Sequence, residues 1–196
     1  MLKAVIFDLN GVFIRSPKLS DRFEKDFNVP VSEFLPKLGE IMNDVRKPNA
    51  KSAFSYWQPT LKEWNVNLSE KEFWNYWFSA EKPSEEMITL ARDLKHRGVK
   101  VITLSNNFKE RADYYGHYPW MRDVMDRTYF SWQTGLVKPD VEAWKLVLKD
   151  FSLEPDECIY FDDQEKNLNA AESLGIPSFM FTSPEDAEVT IEGLLS

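Results

Sequence analysis

The sequence predicts an α/β fold: a parallel five-stranded sheet with helices on both faces, interrupted by a helical insert. Three observations carry this. In the second half of the chain, short continuous apolar runs, the pattern of strands buried on both faces, alternate with segments of helical periodicity. Met1 to Phe13 supplies one more such run ahead of them. Between these parts, Ile14 to Pro83 breaks the alternation, reads as helical throughout and holds Trp57, Trp64, Trp74 and Trp77, four of the seven tryptophans.

The elements follow in order. Ala4 to Leu9 is the first strand; Asp8 and Asn10 interrupt its apolar character and no small-residue cleavage site follows, so it reads as a buried strand rather than a secretory signal. In the insert, Ser32 precedes Phe34, Leu35, Leu38, Ile41, Met42 and Val45, a three-and-four spacing that makes one apolar stripe. Ser69 and Glu72 form a capping box ahead of Phe73, Trp74, Trp77 and Phe78. At least three helices and up to four are expected there, their aromatic residues filling a small core.

The next helix starts at Ser84 as N-cap, carries Glu85 and Glu86 in its first turn and Lys95, His96 and Arg97 near its end, and stops at Gly98. Val99 to Leu104 is the second strand and Thr128 to Ser131 the third. A helix is expected to begin at Pro139, before Cys158 to Phe161 as fourth strand. Another runs from about Glu165 to Leu174 and is closed by Gly175, ahead of the fifth strand at Ser178 to Phe181.

Composition narrows the function. The 196 residues carry 24 basic and 32 acidic side chains, a net charge of −8, without long single-sign blocks, and no run of about 20 apolar residues. That gives no footprint for nucleic acid or a membrane. The single cysteine, Cys158, lies in an apolar run and cannot form an internal disulfide, which points to a reducing, cytoplasmic compartment. His96 and His117, the only histidines, fall in no metal-ligand pattern and read as structural.

Four strand ends carry groups that can do chemistry. Phe7-Asp8-Leu9-Asn10-Gly11 places a carboxylate at the edge where open α/β sheets bind ligands. Leu104-Ser105-Asn106-Asn107 offers a hydroxyl and amides suited to anionic oxygens or to capping a helix. Val137-Lys138-Pro139 supplies one cation. Phe161-Asp162-Asp163 presents paired carboxylates, which repel unless a cation or proton lies between them; magnesium, a taker of carboxylate oxygens, waters and phosphate, suits the place.

In the order carboxylate, hydroxyl, lysine, carboxylate pair, these strand ends resemble the haloacid dehalogenase-like superfamily, with its Rossmann-like core. Leu104 to Asn107, Val137 to Pro139 and Phe161 to Asn167 are similar to the small phosphatases related to the N-terminal phosphatase domain of soluble epoxide hydrolase and to sugar-phosphate phosphatases. The resemblance implies a core of residues 1–14 and 84–196, and a helical cap of 15–83 that selects substrate. It implies Asp8 as a nucleophile forming an aspartyl-phosphate. The implied ligands of Mg2+ are Asp8, the Asn10 backbone carbonyl and Asp163, with Asp162 as a further ligand or a holder of bound water, and Asn167 supporting the group. Ser105, the Asn106 amide and Lys138 would bind the transferring phosphoryl group. The expected partner is a small phosphorylated metabolite, sugar phosphates included, and the chain a monomer or homodimer. Arg15, where the insert begins, is a further candidate for substrate contact.

One position departs from the pattern. Most phosphatases of this superfamily have an aspartate two residues after the nucleophile to protonate the leaving oxygen and then activate water. Asn10 stands there and cannot exchange a proton, so a factor of ~10²–10⁴ is at stake. Three readings follow: a slow phosphatase for good leaving groups, a phosphatase with a proton donor from the cap, or a non-catalytic phosphate- or partner-binding protein. A 2-haloacid dehalogenase, which needs no metal, fits Asn10 and the paired acids less well.

Overall fold

The structure, a computed structural model, describes residues 1–195. The chain runs β1 (Ala4–Phe7), β2 (Ile14–Arg15), α1 (Leu19–Phe27), α2 (Val31–Val45), α3 (Ala53–Glu63), α4 (Glu70–Phe78), β3 (Lys82–Pro83), α5 (Glu85–His96) and β4 (Lys100–Ser105). It continues through α6 (Lys109–Tyr115), α7 (Pro119–Asp123), β5 (Arg127–Phe130), α8 (Ser131–Thr134), α9 (Glu142–Phe151), a 3₁₀ turn (Pro155–Glu157), β6 (Cys158–Asp162), α10 (Glu165–Glu172), β7 (Ser178–Met180) and α11 (Pro184–Leu195).

The five long strands form one parallel sheet in the order β5-β4-β1-β6-β7. β1 is central, pairing Ala4–Phe7 with Lys100–Thr103 on one side and Cys158–Phe161 on the other. All four of its residues are fully buried, as a strand covered on both faces requires. The chain builds outward from β1 to β5 and then crosses to β6. The strand order therefore reverses beside β1, and the crevice at its carboxyl end is where such sheets take ligands.

Two apolar layers cover the sheet. One contains Val5, Phe7, Val101, Phe161 and the inward faces of α5 and α11; the other contains Ile6, Ile102, Tyr160, Trp144 and Val147. Alternate residues of the same strands feed opposite layers, the consequence of the two-residue strand period. The helix start at Ser84, whose Oγ accepts from the Met87 N–H, and the left-handed turns at Gly98 and Gly175 lie where the sequence predicts them.

Between β2 and β3 lie four helices around a third apolar cluster. Trp57, fully buried, sits within 6 Å of Phe34, Phe73 and Trp77, ring pairs whose geometry adds about 0.5–1.5 kcal/mol each beyond area burial. Phe108, which follows β4, joins this cluster against Trp74 and Trp77, so the helices rest directly on the sheet's carboxyl edge.

Several sequence expectations are corrected. The stretch Ile14 to Pro83 is not helical throughout: its ends pair as an antiparallel two-residue ribbon, β2 with β3, too short to show periodicity. α2 starts at Val31, with Pro30 in the N-cap position. In its apolar stripe Leu35 is exposed, while Phe34, Ile41, Met42 and Val45 are buried. Pro139 does not open a helix either. The Lys138–Pro139 peptide is cis, and α9 begins at Glu142, whose N–H is received by the Asp140 carboxylate. The strands shift by one or two residues at their ends; Asp8 and Leu9, for example, have already left the ladder.

Candidate active site

Asp8 stands immediately beyond β1, its N–H bonded to the Phe161 carbonyl and its Oδ1 accepting from the Leu9 N–H. The chain then turns back tightly, with Phe13 and Ile14 both donating to the Leu9 carbonyl. Gly11 is required in that turn. Its φ is +93°, and a Cβ there would lie 2.3 Å from Asp163 Oδ2. This close approach brings the loop after β1 against the end of β6.

The lysine of the Val137-Lys138-Pro139 segment is buried and threaded into the same place. Its Nζ lies 3.1 Å from Asp8 Oδ1 and 2.7 Å from Asp162 Oδ2, and donates to the Tyr160 hydroxyl at 2.9 Å. Asp162 also accepts from Tyr160, from the Gln164 N–H and from the Asn167 amide, so its roughly four lone-pair sites are fully engaged. Asp163 is only partly shielded, on the cavity wall, and keeps open acceptor capacity.

One carboxylate oxygen each from Asp8, Asp162 and Asp163 falls within a 4.8 Å group. Three acids share one ammonium, and the imbalance shows in their acidities. Burial pushes the Asp8 carboxyl up to about 6, with Lys138 opposing and the Asp162 charge adding to the rise. Asp163 is raised as well, by burial first and then by Asp162. The residues therefore fit a divalent cation: hard oxygen donors, an excess of negative charge, and one carboxylate free to turn toward an ion.

Ser105 ends β4. Its Oγ is buried without a hydrogen-bond partner among the described residues, an orphan that a ligand oxygen would satisfy. Asn106 follows, but its side chain is turned to Lys138 and not to the opening. The structure thus brings Asp8, Asn10, Ser105, Asn106, Lys138, Asp163 and Asn167 together on the wall of one cavity of about 520 Å³, with Asp162 directly beneath. Arg15 reaches the same cavity.

Asn10 is held from two sides. Its Nδ2 donates to the Tyr115 hydroxyl at 2.6 Å and its Oδ1 accepts from Asn107 Nδ2 at 3.1 Å. Tyr115 in turn donates to Glu81 Oε2 at 2.7 Å, and Glu81 Oε1 receives Arg111 at 2.5 and 2.8 Å. Glu81, Arg111 and Tyr115 are site-supporting residues that sequence reasoning missed. Glu81 directly precedes β3 and the other two lie on α6, in segments with no motif; their only signal is charge or a hydroxyl in otherwise ordinary helical surroundings. Trp77, expected as core, does both jobs: it packs in the aromatic cluster and also lines the cavity.

Comparison with known proteins agrees with this architecture. A family model for haloacid dehalogenase-like hydrolases matches residues 2–175. The chain is 26% identical over 208 residues to bifunctional epoxide hydrolase 2 of Sus scrofa, covering 95% of this chain and only 37% of that protein, so it spans little more than a third of that relative's length. It is 24% identical over 193 residues to the glyceraldehyde 3-phosphate phosphatase of Methanocaldococcus jannaschii, covering 90% and 83% of the two chains. A haloacid dehalogenase family enzyme of Bacteroides thetaiotaomicron, solved as a magnesium complex, superposes with a TM-score of 0.77 at 23% identity, over 92% and 93% of the chains, and shows the same fold. No helix among the described residues is long and apolar enough to cross a membrane. With a parallel sheet in this order, a carboxylate beyond its central strand and a family match over most of its length, the chain belongs to the haloacid dehalogenase-like hydrolases.

Proposed function

We propose that this hydrolase is a magnesium-dependent phosphatase of small phosphate monoesters. The observation that carries the reading is the convergence of Asp8, the orphaned Ser105 Oγ and buried Lys138 on one small cavity beside a carboxylate cluster. The phosphatase relative and the magnesium complex of the structural neighbour lend it support. The four-helix segment, residues 15–83 in this reading, is a cap over the sheet edge, and a cavity of about 520 Å³ suits a metabolite rather than a macromolecule.

In the proposed reaction an Asp8 carboxylate oxygen forms a bond to phosphorus as the ester P–O bond breaks, giving an aspartyl-phosphate and an alkoxide that takes its proton from solvent water. Water then attacks phosphorus, releasing inorganic phosphate and restoring Asp8. Ser105 and Lys138 bind the phosphoryl oxygens, and Lys138 offsets the charge that develops on them. Asp8, the Asn10 carbonyl and Asp163 would hold the cation, with Asp162 fixing Lys138 rather than spending its filled acceptor sites. When bound, the cation supplies charge neutralisation for nucleophile and phosphoryl oxygens together.

Asn10 gives the leaving alkoxide no proton and the attacking water no base. Good leaving groups are therefore favoured, and the second step is slow. Acid-quenched protein turning over a phosphate monoester with magnesium should then carry phosphate on the Asp8 peptide, detectable by mass spectrometry. A quenched protein without phosphate on that peptide, while inorganic phosphate is being released, would overturn the nucleophile. The second reading, a binding protein that keeps the site without turnover, is favoured by one observation, the commitment of both Asn10 polar atoms to Tyr115 and Asn107. It predicts magnesium-dependent anion binding with no phosphate released.

A further inference from the structure

Six cations line the cavity, Arg15, Lys18, Arg46, Arg111, Lys138 and Lys166, against the carboxylates of Asp8 and Asp163. In a chain of net charge −8 this is a local reversal of sign. Two of the six are neutralised within the fold: Lys138 by Asp8 and Asp162, and Arg111 by Glu81. Arg15, Lys18 and Lys166 are exposed, where water and counterions solvate them.

Arg46 is different. It follows the last residue of α2 and enters the cavity from the helical segment, half-buried. Its Nε is sealed from solvent with no hydrogen-bond partner, and no ion pair reaches the side chain among the described residues. Burial and the nearby Arg111 charge bring its guanidinium down to about 10, with the Asp8 charge opposing. A half-buried cation beside another cation, with a sealed Nε that no group of the fold accepts and only the more distant Asp8 charge in its favour, costs the fold free energy that no ion pair or hydrogen bond offsets. Such a cost, borne in a cavity, is the pattern of a residue kept for a ligand.

Resting on the phosphatase reading, we propose that Arg46 binds a second anionic group, so that the substrates are small phosphate monoesters carrying a further carboxylate or phosphate. The phosphoryl group being transferred belongs at the sheet edge, on Asp8, Ser105 and Lys138. The second anion meets the planar fork of Arg46, which matches either oxyanion in bidentate fashion. Leu35, Leu38 and Trp77, which also line the cavity, give the short carbon chain between the two anions an apolar wall.

The test uses three esters on one two-carbon skeleton: ethyl phosphate, phosphoglycolate and ethylene glycol bisphosphate, assayed with magnesium on the full chain. The last two should exceed ethyl phosphate in kcat/KM by roughly 10- to 100-fold, chiefly through KM, and their ranking separates carboxylate from phosphate as the preferred anion. Arg46→Gln should bring the ratios to within about twofold of one, and Arg46→Lys should keep an intermediate preference. Arg46→Gln should also melt at or above the parent's temperature, since it removes a half-buried charge with no ion-pair partner. A ratio near one in the parent, a ratio that survives Arg46→Gln, or a clear loss of melting temperature in that variant would overturn the proposal while leaving the phosphatase reading intact. If none of the esters releases phosphate and Asp8 is never phosphorylated, the phosphatase reading falls, and this proposal with it.

Discussion

The side-chain amide of Asn106 brackets the peptide of Lys138: its Oδ1 accepts from the Lys138 N–H and its Nδ2 donates to the Lys138 carbonyl, each at 2.8 Å. The end of β4 thereby sets the backbone position from which the lysine reaches Asp8 and Asp162. Asn106 is a positioning residue. Asn106→Ala removes both bonds and should cost roughly 1–3 kcal/mol in denaturant unfolding. It should lower kcat on a generic phosphomonoester at least tenfold, whereas a purely structural role would lower the melting temperature and leave kcat at 25 °C unchanged.

Asn10→Asp should raise turnover. The introduced carboxyl, when protonated, satisfies the same partners as the amide, donating to Tyr115 and accepting from Asn107, and the protonated form is the one a general acid needs. The neighbouring Glu81 carboxylate, two hydrogen bonds away through Tyr115, favours that form. A gain of ~10²–10⁴ in kcat is expected in steady-state phosphate release, largest for esters with poor leaving groups. An unchanged kcat, with magnesium still bound, would show that the missing proton donor is not the deficit.

Removing the metal should expose the repulsion among the three carboxylates. In chelator the folded-state Asp8 pKa, about 6, lies above its ordinary 3.8. The stability associated with neutral Asp8 is complete below pH ~4 and is lost as the pH rises through ~6, an effect on the order of 2–3 kcal/mol. The chelated protein should therefore show a falling melting temperature across pH 4–6, and Asp8→Asn should flatten that step. Magnesium at pH 7 should restore the parent's stability and leave Asp8→Asn nearly unmoved. A parent as insensitive to magnesium as the variant would contradict the assignment of the cluster.

The strand ends are legible in the sequence because they are local. Each of Asp8, Ser105 and Asp162 ends a short, mostly apolar run, and the parallel-sheet pattern places such residues at one edge. Lys138 is legible as a lone cation after a short apolar pair, but a helix at Pro139 is not what positions it; the Asn106 amide is, across 32 residues of chain. The Glu81–Arg111–Tyr115–Asn10 network cannot be read, since its hydrogen-bonded pairs lie 30 to 105 residues apart and no periodicity distinguishes a buried glutamate at a ribbon from a solvated one. The β2–β3 ribbon escapes notice for the same reason: two residues per strand carry no pattern.

Gly11→Ala tests the closeness of the loop after β1 to Asp163. The added methyl meets the carboxylate at 2.3 Å from a backbone φ of +93° that alanine resists, so Asp163 or the loop must shift. Magnesium affinity, read by calorimetry, should fall at least tenfold. An unaltered affinity would show that Asp163 is not a ligand.

The central claim is that Asp8 carries a magnesium-dependent phosphate transfer. Phosphate release from a panel of small monoesters, measured for the parent and for Asp8→Asn, with magnesium and with chelator, tests it most directly. Release that needs both magnesium and Asp8 is the predicted result; release that persists in Asp8→Asn or in chelator, or none from any ester while magnesium is bound, would contradict it.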